Sequence, residues 1–283
     1  MNTTRSETPS LDLALKTLWG ASRWPGLAES PLVMDHPAWQ DSLRRLDQLV
    51  SVHSTGVLYG PHGVGKSYLL HRWSERLSPK QYRLLRVAHS SLMGADLLRH
   101  LARLAGKTPL FRKSDNVALL SDTWRECATA WPVVIVEEAQ DLNVASLEEL
   151  RLLTCARSDA QPAFSLILCG DEDLLPRLEL GINKALVSRL AFCLPLGPWS
   201  QETLRDYLQG RLAEVGIHNS PFDPAAQTLL VQSAQGSPRT LNTLLQRSME
   251  QAAMDNRRTV ANTDVQAVLD ALPWLARIRP QVR

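Results

Sequence analysis

Gly60-Pro61-His62-Gly63-Val64-Gly65-Lys66-Ser67 follows the apolar run Gly56-Val57-Leu58-Tyr59 and opens a leucine-bearing helical pattern at Tyr68. The glycines let successive backbone N–H groups turn inward around a polyphosphate. Lys66 can reach the terminal phosphates, and Ser67 can offer its hydroxyl to Mg²⁺ at the start of a helix whose positive end favours anions. Pro61, His62, Val64 and Tyr68 complete the candidate cofactor-binding stretch with Gly60, Gly63 and Gly65. A solvated glycine-rich turn accounts for neither the Lys-Ser pair nor the strand and helix patterns on either side.

Outward from this loop, short apolar strands alternate with helical patterns. The strand candidates are Thr55 to Tyr59, Tyr82 to Ala88, Pro132 to Glu137, Phe164 to Cys169 and Ala191 to Leu196. Such alternation predicts an α/β fold with a five-stranded parallel sheet covered on both faces. After Pro198 the pattern turns helical, over Gln201 to Val215, Pro224 to Ala234, Pro238 to Met254 and Asn262 to Leu272. Leu241, Leu244, Leu245, Met249 and Ala252 or Ala253 form one apolar stripe there, which predicts a small all-helical C-terminal domain. Before the sheet, Leu11 to Leu18 reads as a short amphipathic helix, and Gly20 to Pro31 as an extended arm.

The chain of 283 residues is 44% hydrophobic, enough for one large core or a core with a satellite domain. No uninterrupted apolar stretch approaches ~20 residues and Met1 to Lys16 lacks a signal-peptide core, so the expectation is a cytoplasmic protein without a membrane span. Cys127, Cys155, Cys169 and Cys193 are far apart, which predicts buried thiols rather than a zinc site or disulfides. With a net charge of only +2, any polyanion site must come from local clustering.

Val133-Val134-Ile135-Val136-Glu137-Glu138-Ala139-Gln140-Asp141 is a buried strand pattern that ends in adjacent carboxylates. Beside a phosphate loop, or one strand away from it, such acids meet the metal and the attacking water. Alternation along an extended chain points the two side chains differently, so Glu137 is expected to support the Mg²⁺ shell and Glu138 to polarise water.

The phosphate loop, Val133 to Asp141, Leu147-Glu148-Glu149-Leu150-Arg151-Leu152-Leu153, Leu166-Ile167-Leu168-Cys169-Gly170 with Asp171-Glu172-Asp173-Leu174, and Gly236-Ser237-Pro238-Arg239 together resemble AAA+ ATPases of the ExeA-like secretion and transposition-helper group. The likeness spans about residues 36 to 272. It implies an N-terminal arm over 1–35, an AAA+ α/β core over 36–197, a helical lid over 198–272 and a basic tail over 273–283, with ATP and Mg²⁺ as cofactors. That family usually carries Asp where Glu137 stands. One extra methylene changes where the carboxylate reaches, so slow turnover is the expectation. By resemblance Asp171 holds the position that senses the terminal phosphate, although as a carboxylate it only accepts hydrogen bonds. Arg189 matches the arginine a neighbouring subunit offers to the phosphate, and Arg239 the second sensor, which couples nucleotide state to the lid.

From Arg86 to Lys113, six cations face the single acid Asp96, a local balance of +5. On the helix from Gly94 to Ala105, Leu97, Leu98, Leu101 and Leu104 are expected to face the core. Arg99 and Arg103 share another face, and Lys107, Arg112 and Lys113 extend the charge into a polar loop. This arrangement suits duplex DNA held through its phosphates without base reading. Together with the resemblance it implies a DNA-remodelling regulator that forms a homo-oligomeric ring or helical filament on target DNA and recruits a transposase. The alternatives are an ExeA-like secretion or envelope-assembly ATPase, and a nucleotide-binding scaffold with little hydrolysis. The chain's end at Arg283, without a membrane span or a wall-binding region, favours the first expectation.

Overall fold

The computed structural model describes residues 11–26, 37–88, 94–126, 130–155 and 163–276. Cys127, residues 1–10 and 27–35 of the expected arm, and the tail residues Arg277, Arg279 and Arg283 lie outside them. The chain divides into two compact units, residues 37–197 and a second unit made from the segments before and after.

The first helix in the chain, α1 (Leu11–Trp19), belongs to the second unit. The central unit then runs α2 (Pro37–Ser51), β1 (Thr55–Tyr59), α3 (Lys66–Arg76), β2 (Tyr82–Val87), α4 (Gly94–Leu104), α5 (Lys113–Glu126), β3 (Trp131–Val136), α6 (Val144–Thr154), β4 (Ser165–Gly170), α7 (Leu174–Glu179), α8 (Lys184–Val187) and β5 (Phe192–Pro195). Its five strands lie in the order β2-β3-β4-β1-β5, all parallel. The β-branched and leucine-rich runs are buried on both faces, with Val133, Val134, Val136, Leu166, Ile167 and Leu168 fully enclosed, as a parallel sheet covered by helices requires. β4 separates β3 from β1, and β3 closes at Val136, so Glu137 is the first residue beyond the strand.

Helix α4 buries Leu97, Leu98, Leu101 and Ala102 completely and Leu104 in part, as its period predicts. Asn143 caps α6, its side chain accepting from Ser146 N at 2.7 Å, and the Ser146 hydroxyl in turn accepts from Gly94 N at 2.8 Å, joining the starts of α4 and α6. Of the thiols described, Cys169 is buried and Cys155 half-buried. Cys193 departs from expectation and is exposed, because β5 is an edge strand that turns Cys193 outward.

The second unit holds α9 (Gln201–Glu214), α10 (Pro224–Ala234), α11 (Pro238–Met254), α12 (Asn262–Ala271) and α13 (Pro273–Ala276). Leu241, Leu244, Leu245, Met249, Ala252 and Ala253 of α11 are all buried, so the apolar stripe is this unit's core. Asp223 caps α10, accepting from Ala226 N at 2.6 Å, and Ser237 caps α11, accepting from Thr240 N at 3.2 Å; each is followed by a proline that suits the first helical turn. The described part of the expected arm is not free-standing. α1 buries Ala14 and Leu15 and packs on α11, while Trp24 Nε1 donates to Asp12 Oδ1 at 3.0 Å. Gly26 lies so close to α11 that a Cβ would stand 3.0 Å from the Asn242 carbonyl oxygen.

Candidate functional site

The phosphate loop leaves β1 at Tyr59 and re-enters regular structure at α3. Its first residue has no room for a side chain, since a Cβ on Gly60 would lie 2.0 Å from the Leu196 carbonyl oxygen. At the other end Gly65 precedes α3 with φ 103°, a left-handed conformation, and a Cβ there would meet the Trp39 ring at 2.8 Å. Trp39 of α2 also contacts Tyr68, with ring centroids 5.3 Å apart, so two aromatic rings brace the loop's exit. Nothing in the local sequence marks Trp39 for this position. Lys66 is buried, its Nζ donating to Gly60 O at 2.6 Å and Pro61 O at 2.9 Å, whereas Ser67 and His62 are exposed. The ammonium is thus folded into the loop's own carbonyls, within the cradle a polyphosphate would occupy.

The acids gather at the C-terminal ends of β3 and β4. Glu137 is buried and Arg86 of β2 donates to it through Nε. Arg86 is therefore not part of an open basic patch, contrary to its reading as one of the clustered cations. Glu138 is exposed and left-handed, φ 49° and ψ 43°, a conformation uncommon outside glycine that separates its side chain from that of Glu137. Gln140, which the sequence reading passed over, links two elements of the site. Its Nε2 donates to Glu138 Oε2 at 2.7 Å, and its Oε1 accepts from the Asp171 amide at 3.2 Å.

Asp171 is the first residue beyond β4, and His62 Nε2 of the phosphate loop stands 3.0 Å from its Oδ2. Its other oxygen accepts from Asp173 N at 2.9 Å. Cys169 lies within the field of these charges. Burial, then the negative charge of Glu137, pushes its thiol up to about 12 against the opposing pull of Lys66, so it stays protonated at neutral pH. The structure therefore brings Lys66, Glu137, Glu138 and Asp171 to one edge of the sheet.

Among the described residues no group of three or more His, Cys, Asp or Glu could hold a metal ion. Mg²⁺ keeps several waters and takes further oxygens from phosphates, so it needs only one or two oxygens from protein and no such cluster.

Arg189 lies in the turn between α8 and β5, half-buried, with Nη1 donating to the Ala185 carbonyl at 2.8 Å. Arg239 is exposed in the first turn of α11, in the second unit.

The basic region divides into engaged and open cations. Arg99 donates to Asp96 Oδ1 at 2.8 Å and to the Phe111 carbonyl at 3.1 Å, so it helps shape the loop after α4. Asn116, itself buried, pins that loop by accepting from Leu110 N and donating to the Leu110 and Arg112 carbonyls. The loop tip is not wholly polar, since Phe111 is 91% exposed between Leu110 and Arg112. Arg103, Lys107 and Arg112 are exposed.

Lys113 does not lie in the loop. It begins α5, and its ammonium pairs with Glu149 of α6, whose carboxylate is 1% exposed. Removing Lys113 would leave that carboxylate buried and unpaired. Lys113→Ala is expected to cost about 2 kcal/mol, less than the ~3–5 kcal/mol of a fully buried pair because the lysine is half exposed, and to lower the melting temperature by roughly 4–8 °C. Lys113→Met combined with Glu149→Gln should recover most of the loss. A thermal melt in which Lys113→Ala matches wild type would show that the pair carries no stability.

Among the described residues no helix is long and apolar enough to cross a membrane. Residues 50–178 match the family described as AAA domain. Over 216 residues the chain is 27% identical to General secretion pathway protein A of Aeromonas hydrophila, covering 74% of this chain but only 39% of that protein. Among solved structures, Cdc6p of Pyrobaculum aerophilum superposes with a TM-score of 0.68 at 17% identity, over 87% of this chain and 69% of that one. The Aeropyrum pernix ORC1 protein in complex with DNA gives 0.64 at 19% identity, over 91% and 72%. The chain is thus an ATPase that matches the AAA domain family over residues 50–178, which supply β1 to β4 of a five-stranded parallel sheet, and a helical C-terminal part follows.

Proposed function

We propose that this protein is an ATP-dependent, duplex-DNA-binding regulator of transposition, whose ATP-bound copies assemble on target DNA and recruit a transposase. The observation that carries the DNA reading is the trio Arg103, Lys107 and Arg112, exposed around a pinned loop in the same unit as the phosphate loop. The likeness to an ORC1 protein solved with DNA supports it.

In this reading the loop's backbone amides and Lys66 would hold the phosphates of ATP, and Ser67 and Glu137 would hold Mg²⁺, which would supply charge neutralisation. Glu138 polarises the attacking water, with Gln140 fixing its carboxylate. Asp171 senses the terminal phosphate, with His62 of the loop 3.0 Å from its carboxylate. Arg189 reaches the phosphate of a neighbouring copy, and Arg239 couples nucleotide state to a lid formed by the helical unit. Hydrolysis then dissolves the assembly. One copy offers only a few phosphate contacts, so a ring or filament that repeats them is what makes the patch effective.

A second reading, a secretion-type ATPase, is favoured by the 27% identity to General secretion pathway protein A. The two separate in a duplex-DNA titration at several salt concentrations with a non-hydrolysable ATP analogue. Wild type should bind with little sequence preference. Arg103→Ala/Lys107→Ala/Arg112→Ala should bind far more weakly and flatten the salt slope by about 2 to 3 per copy. Sedimentation of the same samples should show oligomers that depend on the analogue and on Arg189. An unchanged slope in the triple variant removes this loop from DNA binding; no binding by wild type favours the secretion reading.

A further inference from the structure

The carboxylate placed to support Mg²⁺ already has a cation. Parallel pairing of β2 with β3 sets Arg86 opposite Ile135 and Val87 opposite Val136, and the Glu137 amide continues the ladder by donating to the Val87 carbonyl at 2.9 Å. This register lays Arg86 beside Glu137, and the guanidinium Nε donates to Glu137 Oε1. The carboxylate is only 8% exposed and the arginine 37%, so the pair sits where water competes weakly for the acid while the cation keeps a route outward.

We propose that Arg86 is a positioning residue that masks Glu137, so that Mg²⁺ with ATP must displace a guanidinium before Glu137 joins the metal's water shell. The proposal rests on the nucleotide-site reading above. A carboxylate held by a guanidinium offers a metal little net charge. Glutamate in place of aspartate suits such an arrangement, because its longer, more flexible arm can serve two alternative partners. Lys66, a buried cation at the same edge, donates to the loop carbonyls of Gly60 and Pro61. The consequence is a site that binds ATP with unusually little help from Mg²⁺ until Arg86 is drawn off, which links slow turnover to one removable contact.

The experiment is isothermal titration of a non-hydrolysable ATP analogue with EDTA and with Mg²⁺, read as the ratio of the two dissociation constants. Arg86→Met, which keeps the apolar stem, should raise the affinity gained from Mg²⁺ about tenfold over wild type. Arg86→Lys retains a cation and should return the ratio towards wild type, an outcome that a packing role would not produce. In a Glu137→Gln background Arg86→Met should change nothing. An unchanged ratio in Arg86→Met, with wild type binding normally, overturns the mask alone. A lowered ratio overturns it too, since Arg86 would then present Glu137 to the metal. If neither wild type nor variants bind the analogue, the nucleotide-site reading fails and the mask with it.

Discussion

Lys66→Ala is expected to abolish measurable nucleotide binding. The lysine is buried at the head of α3, its ammonium 2.6 and 2.9 Å from the Gly60 and Pro61 carbonyls, and in the proposed function it meets the phosphates of highest charge. Truncating one partner of a desolvated charge pair costs about 2–5 kcal/mol, which corresponds to a loss of at least roughly thirtyfold and up to several thousandfold in affinity. Since the ammonium also ties Gly60 and Pro61 together, a melt should accompany the calorimetry, with Lys66→Met as a second variant that keeps the stem. Wild-type affinity in a folded Lys66→Ala protein would overturn the assignment of the phosphate cradle.

Glu138→Gln should leave ATP bound and stop its hydrolysis, slowing single turnover by about 10²–10⁴ and accumulating ATP-bound oligomers. Glu138 is exposed where Glu137 is buried, its left-handed backbone turns it away from Arg86's partner, and Gln140 holds one of its oxygens at 2.7 Å. Those features leave the other oxygen able to polarise water, which an amide cannot do as a carboxylate does. Gln140→Ala is the informative companion, because it frees both Glu138 and the Asp171 amide and should lower the rate without removing the carboxylate. If Glu137→Gln stops single turnover and Glu138→Gln does not, the two glutamates exchange roles.

Much of this molecule was legible in its residues. The five strands, the helix from Gly94 and the four helices expected after Pro198 fall within a residue or two of their expected ends, because strand and helix periods depend on neighbours a few positions apart and those neighbours are written in order. The loop between β1 and α3 is legible for the same reason: its glycines, lysine and serine stand close together in the chain, from Gly60 to Ser67. The stripe on α11 named the core of the helical unit, since burial of one helix face follows from spacing alone.

Partners across elements were a different matter. The order β2-β3-β4-β1-β5 decides that Arg86 meets Glu137 and that His62 meets Asp171, and the packing of α5 on α6 decides that Lys113 meets Glu149. Each pair joins residues far apart in the chain, and periodicity reports which face a side chain takes but not what stands opposite it. Counting charge along Arg86 to Lys113 therefore joined cations that folding separates. Two of the six neutralise buried carboxylates, one shapes a loop, and three remain exposed around it. The sequence by itself determined the sheet, the loop and the acids that follow it. The tertiary structure alone decided which of those charges are already spent, because a charge is neutralised by proximity in space, and proximity is set by strand order and register.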